Sequence, residues 1–185
     1  MLYNTEKSYG LISRLFHWIM SVIILSMISV GYYMKYFAPQ ESKATIYGMH
    51  KATGVIVFTL VLLRLTWRMI NVSPKLPEDC QKWLAAASKI NFIVLYTMMI
   101  SMPITGLFMS LYSGFKINVY GLFTIPTFLE KNKKLAALFK ELHNGFAVLF
   151  IIAISLHILV NLYHHFYKKD NILTRMIFDK TPKNE

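Results

Sequence analysis

Four of the six histidines in this 185-residue chain, His17, His50, His143 and His157, fall inside or at the edge of long apolar runs. Their spacing carries chemical information. His157 follows His143 by 14 residues. That is close to four whole helical turns, so both rings leave one helix face about 21 Å apart along the axis. If successive helices cross a membrane in alternating directions, His50 and His143 come to one level and His17 and His157 to another. Two imidazoles facing each other from separate helices can take the two axial positions of a six-coordinate b-type haem. Two such levels would hold two haem b groups and pass an electron across a bilayer. Arg64 follows His50 by 14 residues, on the same helix face at the level of His17, and Arg68 lies one turn deeper. Both are placed to neutralise haem propionates.

Other chemistries compete for the same residues. A histidine inside a membrane helix can simply hydrogen-bond to a neighbouring helix, although two depth-matched pairs are harder to obtain that way. Zinc or copper is the main rival, but one pair per level falls short of the three or four ligands of a tetrahedral site. The apolar runs also contain no carboxylate. Gly54, one turn beyond His50, leaves room for a flat porphyrin, and helix packing by small residues explains it equally well. Gly106, after Pro103, has the same two readings.

The elements that must position these residues are apolar helices. Hydrophobic residues make up 55% of the chain and charged residues 16%, against about 25% charged in soluble domains. A span needs about 20 apolar residues. Four runs meet that length: about 11–34, 46–70, 90–112 and 142–167. The expected fold is therefore all-α, a four-helix transmembrane bundle forming a single domain over 1–185. The first run has Lys7 before it and Arg14 in its first turn, ahead of the uninterrupted apolar stretch, like a secretory signal, but its length, its His17 and Trp18, and the absence of a small-residue cleavage pattern identify it as a retained helix. Pro39, Pro74 and Pro77 interrupt the first two connections. In the long third connection, residues 134–139 read as an interfacial helix. Trp18, Trp67 and Trp83 read as interfacial anchors, and the lone Cys80 as an inert thiol.

The net charge of +11 does not point to nucleic acid, because the basic residues lie between apolar runs and so face membrane lipid. Twelve of the 20 Lys and Arg residues fall on the side of the N-terminus and eight on the other. The excess of basic residues on cytoplasmic loops then places both termini in the cytoplasm. The opposite loops remain basic, their eight lysines outweighing Glu41, Glu130 and Glu141.

Several short motifs carry a family resemblance over nearly the whole chain. They are Arg14-Leu15-Phe16-His17-Trp18, Gly48-Met49-His50-Lys51-Ala52-Thr53-Gly54, Arg64-Leu65-Thr66-Trp67-Arg68 and Met102-Pro103-Ile104-Thr105-Gly106. Further along come Tyr120-Gly121-Leu122-Phe123-Thr124-Ile125-Pro126, Glu141-Leu142-His143 and His164-His165-Phe166-Tyr167-Lys168-Lys169-Asp170, with Leu173-Thr174-Arg175-Met176 behind. Together they resemble the prokaryotic cytochrome b561 family. The resemblance implies a di-haem, quinone-reactive cytochrome of the bacterial inner membrane, with His17, His50, His143 and His157 as axial ligands. Relatives often carry a histidine near the start of the third helix, where this chain has Asn91 and Phe92. A ligand or proton relay on that helix is therefore not expected.

Some relatives resemble superoxide oxidases, which take electrons from superoxide outside and reduce ubiquinone in the membrane. Basic outer loops, including Lys51 and Lys116, would steer a small anion. His164, seven residues beyond His157, could hydrogen-bond a quinone carbonyl and supply a proton. An interfacial polar cap is the plainer reading of His164 and His165, as solvated charge is of the lysines. Three functions follow. The first is an enzyme passing electrons from superoxide or another outer donor to quinone. The second is an electron-transfer subunit docking a partner dehydrogenase or hydrogenase, or a periplasmic redox partner. The third is a non-enzymatic haem- or metal-binding membrane protein.

Overall fold

The computed structural model describes residues 1–75 and 81–178. Pro77, Cys80, Lys180 and Lys183 lie outside the described residues. The elements run α1 (Leu11–Tyr36), α2 (Gln40–Ile70), α3 (Lys82–Tyr112), β1 (Ile117–Val119), β2 (Phe123–Ile125), α4 (Lys133–Tyr163) and a short α5 (Thr174–Ile177). A single π-helical turn, His164–Lys168, continues α4. Among the described residues the protein is thus all-α apart from one small hairpin, and α1, α2, α3 and α4 are each long and apolar enough to cross a membrane. Their apolar side chains are widely exposed: Val22 keeps 64% of its surface and Leu159 61%. No such helix is stable with that surface in water, and lipid is the environment that accommodates it.

Three of the helices begin well before the apolar runs they contain. α2 starts at Gln40, directly after Pro39, whose carbonyl accepts from the Ser42 amide at 3.2 Å. α3 starts at Lys82. α4 starts at Lys133 because the Asn132 side chain accepts from the amides of Lys134 and Leu135, both at 3.1 Å, an N-cap. Residues 134–139 are accordingly the first turns of α4 and not a separate interfacial helix. No glycine or proline separates them from the apolar run, so nothing stops the helix.

Contacts divide the chain into two compact units. The first comprises Met1–Ile19, Leu62–Tyr96 and Phe150–Glu185. Within it the segment before α1 is tied down tightly. A side-chain carbon on Gly10 would lie 2.3 Å from the Leu2 carbonyl oxygen, so only glycine fits there. Trp67 donates to Ser13 Oγ at 2.9 Å and stacks on Tyr3, ring centres 5.4 Å apart. Trp18 donates to the Met176 carbonyl at 3.0 Å, and Arg175 donates to the Lys75 carbonyl at 2.7 Å. Trp18, although exposed, and Trp67 thus tie this unit together through their indole N–H groups, while exposed Trp83 donates to its neighbour Gln81 at 2.7 Å.

The second unit comprises Met20–Val61 and Thr97–Leu149. Its hairpin, unexpected from the sequence, pairs Ile117 with Ile125 and Val119 with Phe123. The turn needs two positive φ angles, supplied by Tyr120 (51°) and Gly121 (78°). Tyr120 is held in that conformation by its hydroxyl, 2.6 Å from Thr53 Oγ1. Phe108, Tyr112 and Phe139 stack as a second support, Phe139 lying 5.2 Å from Phe108 and 5.8 Å from Tyr112 between ring centres.

Candidate functional site: two histidine pairs

Each unit contains one histidine pair. In the second unit the ring centres of His50 and His143 are 6.5 Å apart. In the first, those of His17 and His157 are 6.1 Å apart. All four rings are half-buried. A nitrogen that ligates a metal lies about 2 Å from it, and the ring centre lies roughly 1 Å further. Two imidazoles on opposite sides of one iron therefore have centres about 6 Å apart. Both ring-centre separations match that figure, so each pair has the spacing that two axial ligands of one haem iron would have. Among the described residues no group of three or more His, Cys, Asp or Glu side chains is placed to hold a metal ion. A tetrahedral site has no ligand set to draw on there.

His143 is oriented by α3. Its Nδ1 donates to the Met102 carbonyl at 3.1 Å and lies 3.1 Å from Thr105 Oγ1. A backbone carbonyl only accepts, so the hydrogen sits on Nδ1 and the lone pair on Nε2, as an axial ligand requires. The Thr105 hydroxyl meanwhile donates to the Ser101 carbonyl at 2.8 Å. Gly106 completes the seat: an added Cβ there would lie 3.3 Å from His143 Cε1. The glycine lets the ring approach the α3 backbone closely. His50 meets a comparable surface at Gly31, where a Cβ would lie 3.5 Å from its Cε1. Its buried Nδ1 has no hydrogen-bond partner among the described residues. Gly31 escaped sequence reasoning because it lies on a different helix from its partner, with no spacing to relate them. Gly54 faces Met27 instead, with 3.9 Å between an added Cβ and Met27 Cε.

The first unit is arranged differently. Arg64 Nη2 donates to His17 Nδ1 at 3.3 Å. Its guanidinium also lies 5.8 Å from the Tyr96 ring centre. Arg68 stacks over Phe92 at 3.8 Å and reaches Tyr96 at 5.9 Å, a cation–π arrangement. The residue at the expected departure, Phe92, thus seats an arginine. Tyr9 is a further neighbour that the sequence did not single out. Burial pushes its phenol above the usual range, while Arg68 pulls the other way. With Nδ1 accepting, His17 carries its hydrogen on Nε2. Were Nε2 to ligate a haem iron, the hydrogen would have to move to Nδ1, and Arg64 would then be free to pair with an acidic group such as a propionate.

His164, the first residue of the π turn, is buried, and its Nδ1 contacts Asp170 Oδ2. Lys169 adopts a left-handed conformation (φ 55°) that turns the chain back, and the Asp170 amide donates to the His164 carbonyl at 3.2 Å. His165 is less enclosed and packs on Phe166, ring centres 4.9 Å apart. Of the outer lysines, Lys116 is exposed. Lys51 is half-buried, lying 5.1 Å from the Phe115 ring and 3.4 Å from Ser110 Oγ.

The chain is similar to known proteins over most of its length. The profile of the family described as prokaryotic cytochrome b561 matches residues 8–179. Cytochrome b561 homolog 2 of Escherichia coli (strain K12) is 29% identical over 177 residues, covering 94% of this chain and 93% of the relative. Cytochrome b561 homolog 1 of the same organism is 26% identical, covering 87% and 92%. A protein of Yersinia pestis named probable superoxide oxidase CybB is 25% identical, covering 93% and 97%. The chain belongs to the prokaryotic cytochrome b561 family and is a membrane electron-transfer protein that binds b-type haem.

Proposed function

We propose that this chain, working as a single domain, holds two haem b groups. One is ligated by His50 and His143 and the other by His17 and His157. Through them electrons pass from an outer donor to the membrane quinone pool. The observation that carries the reading is the matched separation of the two ring pairs, 6.5 and 6.1 Å, each suited to one iron. A haem held by two imidazoles keeps no open position and supplies one-electron transfer. Arg64 and Arg68 are the propionate partners, and Gly54 leaves space for a porphyrin face. The protein sits in the bacterial inner membrane with both termini in the cytoplasm, as the distribution of its basic residues favours.

The donor is superoxide, on the strength of the similarity to the probable superoxide oxidase of Yersinia pestis and of the basic loops that include Lys51 and Lys116. The reaction balances as two superoxide anions, one ubiquinone and two protons giving two dioxygen molecules and one ubiquinol. The protein's own residues attract the anion, hold the ligand rings and deliver protons. His164 is the quinone-side group. The test is direct: haem-loaded protein purified in detergent receives a superoxide source and a short-chain ubiquinone. Superoxide-dependent quinol formation without any other protein is expected. A preparation with two haems that stays inert until a partner dehydrogenase is added would replace this reading with that of a docking subunit.

A further inference from the structure

The buried His164 and Asp170 form a pair that the π turn appended to α4 builds. Six residues separate them in sequence. They meet because the left-handed Lys169 reverses the chain and the Asp170 amide closes on the His164 carbonyl at 3.2 Å. The carboxylate is itself fixed. Its Oδ1 accepts from the Ile172 amide at 3.1 Å, and Oδ2 faces His164 Nδ1. The side chains are 6% and 16% exposed, so both are withdrawn from bulk water. A turn of α-helix would have served as a plain helix end; π turns are rare and recur at functional sites.

We propose that Asp170 is a positioning residue for quinone reduction, holding the hydrogen of His164 on Nδ1 so that Nε2 is the nitrogen that gives a proton to the quinone. This rests on the reading of His164 as the quinone-side group. In the step, an N–H bond of the doubly protonated ring breaks at Nε2 and an O–H bond forms at one quinone carbonyl. The two electrons arrive singly by the electron-transfer route, and the second proton comes from water. The ring is left neutral, with Nδ1–H still directed at Asp170, and regains its Nε2 proton from cytoplasmic water. A carboxylate behind an imidazole fixes which nitrogen works, as it does behind metal-bound or catalytic histidines.

The experiment uses full-length, haem-loaded protein, reduced anaerobically with limiting dithionite and mixed with short-chain ubiquinone while haem reoxidation is followed. Asp170→Asn should slow reoxidation at saturating quinone by roughly 10- to 100-fold, leaving the half-saturating quinone concentration and the haem spectrum unchanged. Asp170→Glu should recover most of the rate. Asp170→Asn at the wild-type rate beside a slow His164→Gln would overturn the proposal. Wild-type rates in both variants would instead defeat the quinone reading. If Asp170→Asn does not accumulate, nitrogen-15 spectra of histidine-labelled wild type decide, with the His164 signal assigned by its loss in His164→Gln. Hydrogen on Nδ1 supports the proposal, and hydrogen on Nε2 alone in the neutral ring overturns it.

Discussion

Thr105 places its hydroxyl oxygen 3.1 Å from Nδ1 of His143, on the side of the ring away from the nitrogen available to a metal. The Met102 carbonyl stands at the same distance. Acceptors at Nδ1 give an imidazole more anionic character and favour the ferric state of an iron it ligates. Thr105→Val keeps the shape and removes one acceptor. The expected outcome is full haem content with one of the two midpoint potentials raised by some tens of mV; about 59 mV is a tenfold effect for one electron. Redox titration followed by optical spectra measures it. Two unchanged potentials would show that the hydroxyl has no electronic influence.

Gly106 tests the same seat by size. An alanine methyl would press on His143 Cε1 from 3.3 Å, and a crowded core site costs about 1–3 kcal/mol. Gly106→Ala should therefore loosen one haem selectively, seen as earlier loss of half the pigment on heating. Gly54→Ala, with only Met27 Cε at 3.9 Å, costs the protein packing little. Pigment loss there would mean that the porphyrin itself occupies the space.

The ligand assignment makes a pairwise prediction. His50→Ala and His143→Ala should each remove one and the same haem, and His17→Ala and His157→Ala the other, as judged by pigment stoichiometry and the remaining spectrum. If His17 and His50 proved to share a haem, the pairing by ring distance would be wrong.

How much of this could be read from the residues alone depends on the range of the interaction. The levels of the four histidines follow from helical rise and alternating direction, because a membrane forces long straight helices and so makes spacing a measure of depth. The same arithmetic put Arg64 near His17. It could not say that the guanidinium would meet the ring itself, since that is decided by side-chain rotamers. The seat of His143 pairs residues 38 and 41 positions apart, and Gly106 alone was visible there, with packing as an equal explanation. The π turn was invisible for another reason. Sequence periodicity assumes 3.6 residues per turn up to the helix end, and the departure at His164 depends on Lys169 adopting a left-handed conformation. Lysine gives no signal for that.

Arg64 gives a charge test of the first unit. A guanidinium 3.3 Å from His17 Nδ1 places a positive charge next to one prospective ligand and disfavours oxidation of the iron nearby. Arg64→Gln should lower one midpoint potential by roughly 30–60 mV, about 1 kcal/mol for one electron. The other potential should stay within error. It should also weaken haem retention in that pair if the guanidinium serves a propionate once the ring is ligated. Equal shifts in both potentials would point to a general change in the protein and not to a local charge.

The last prediction concerns the donor. A small anion drawn by surface charge is captured at a rate that depends on exposed cations and falls with ionic strength. Lys116 is exposed, whereas Lys51 is half-buried against Phe115 and Ser110, so Lys116 is the cleaner probe of the two. Lys116→Glu should lower the second-order rate with superoxide several-fold at low salt and flatten its salt dependence, while quinone reduction by chemically reduced protein stays unchanged. Lys51→Gln should act differently, because its ammonium lies over an aromatic ring and its stem is packed. Some loss of thermal stability should accompany any loss of rate. If Lys116→Glu leaves both the rate and its salt dependence intact, attraction by the loops plays no part, and a neutral or protein donor becomes the better explanation of how electrons enter.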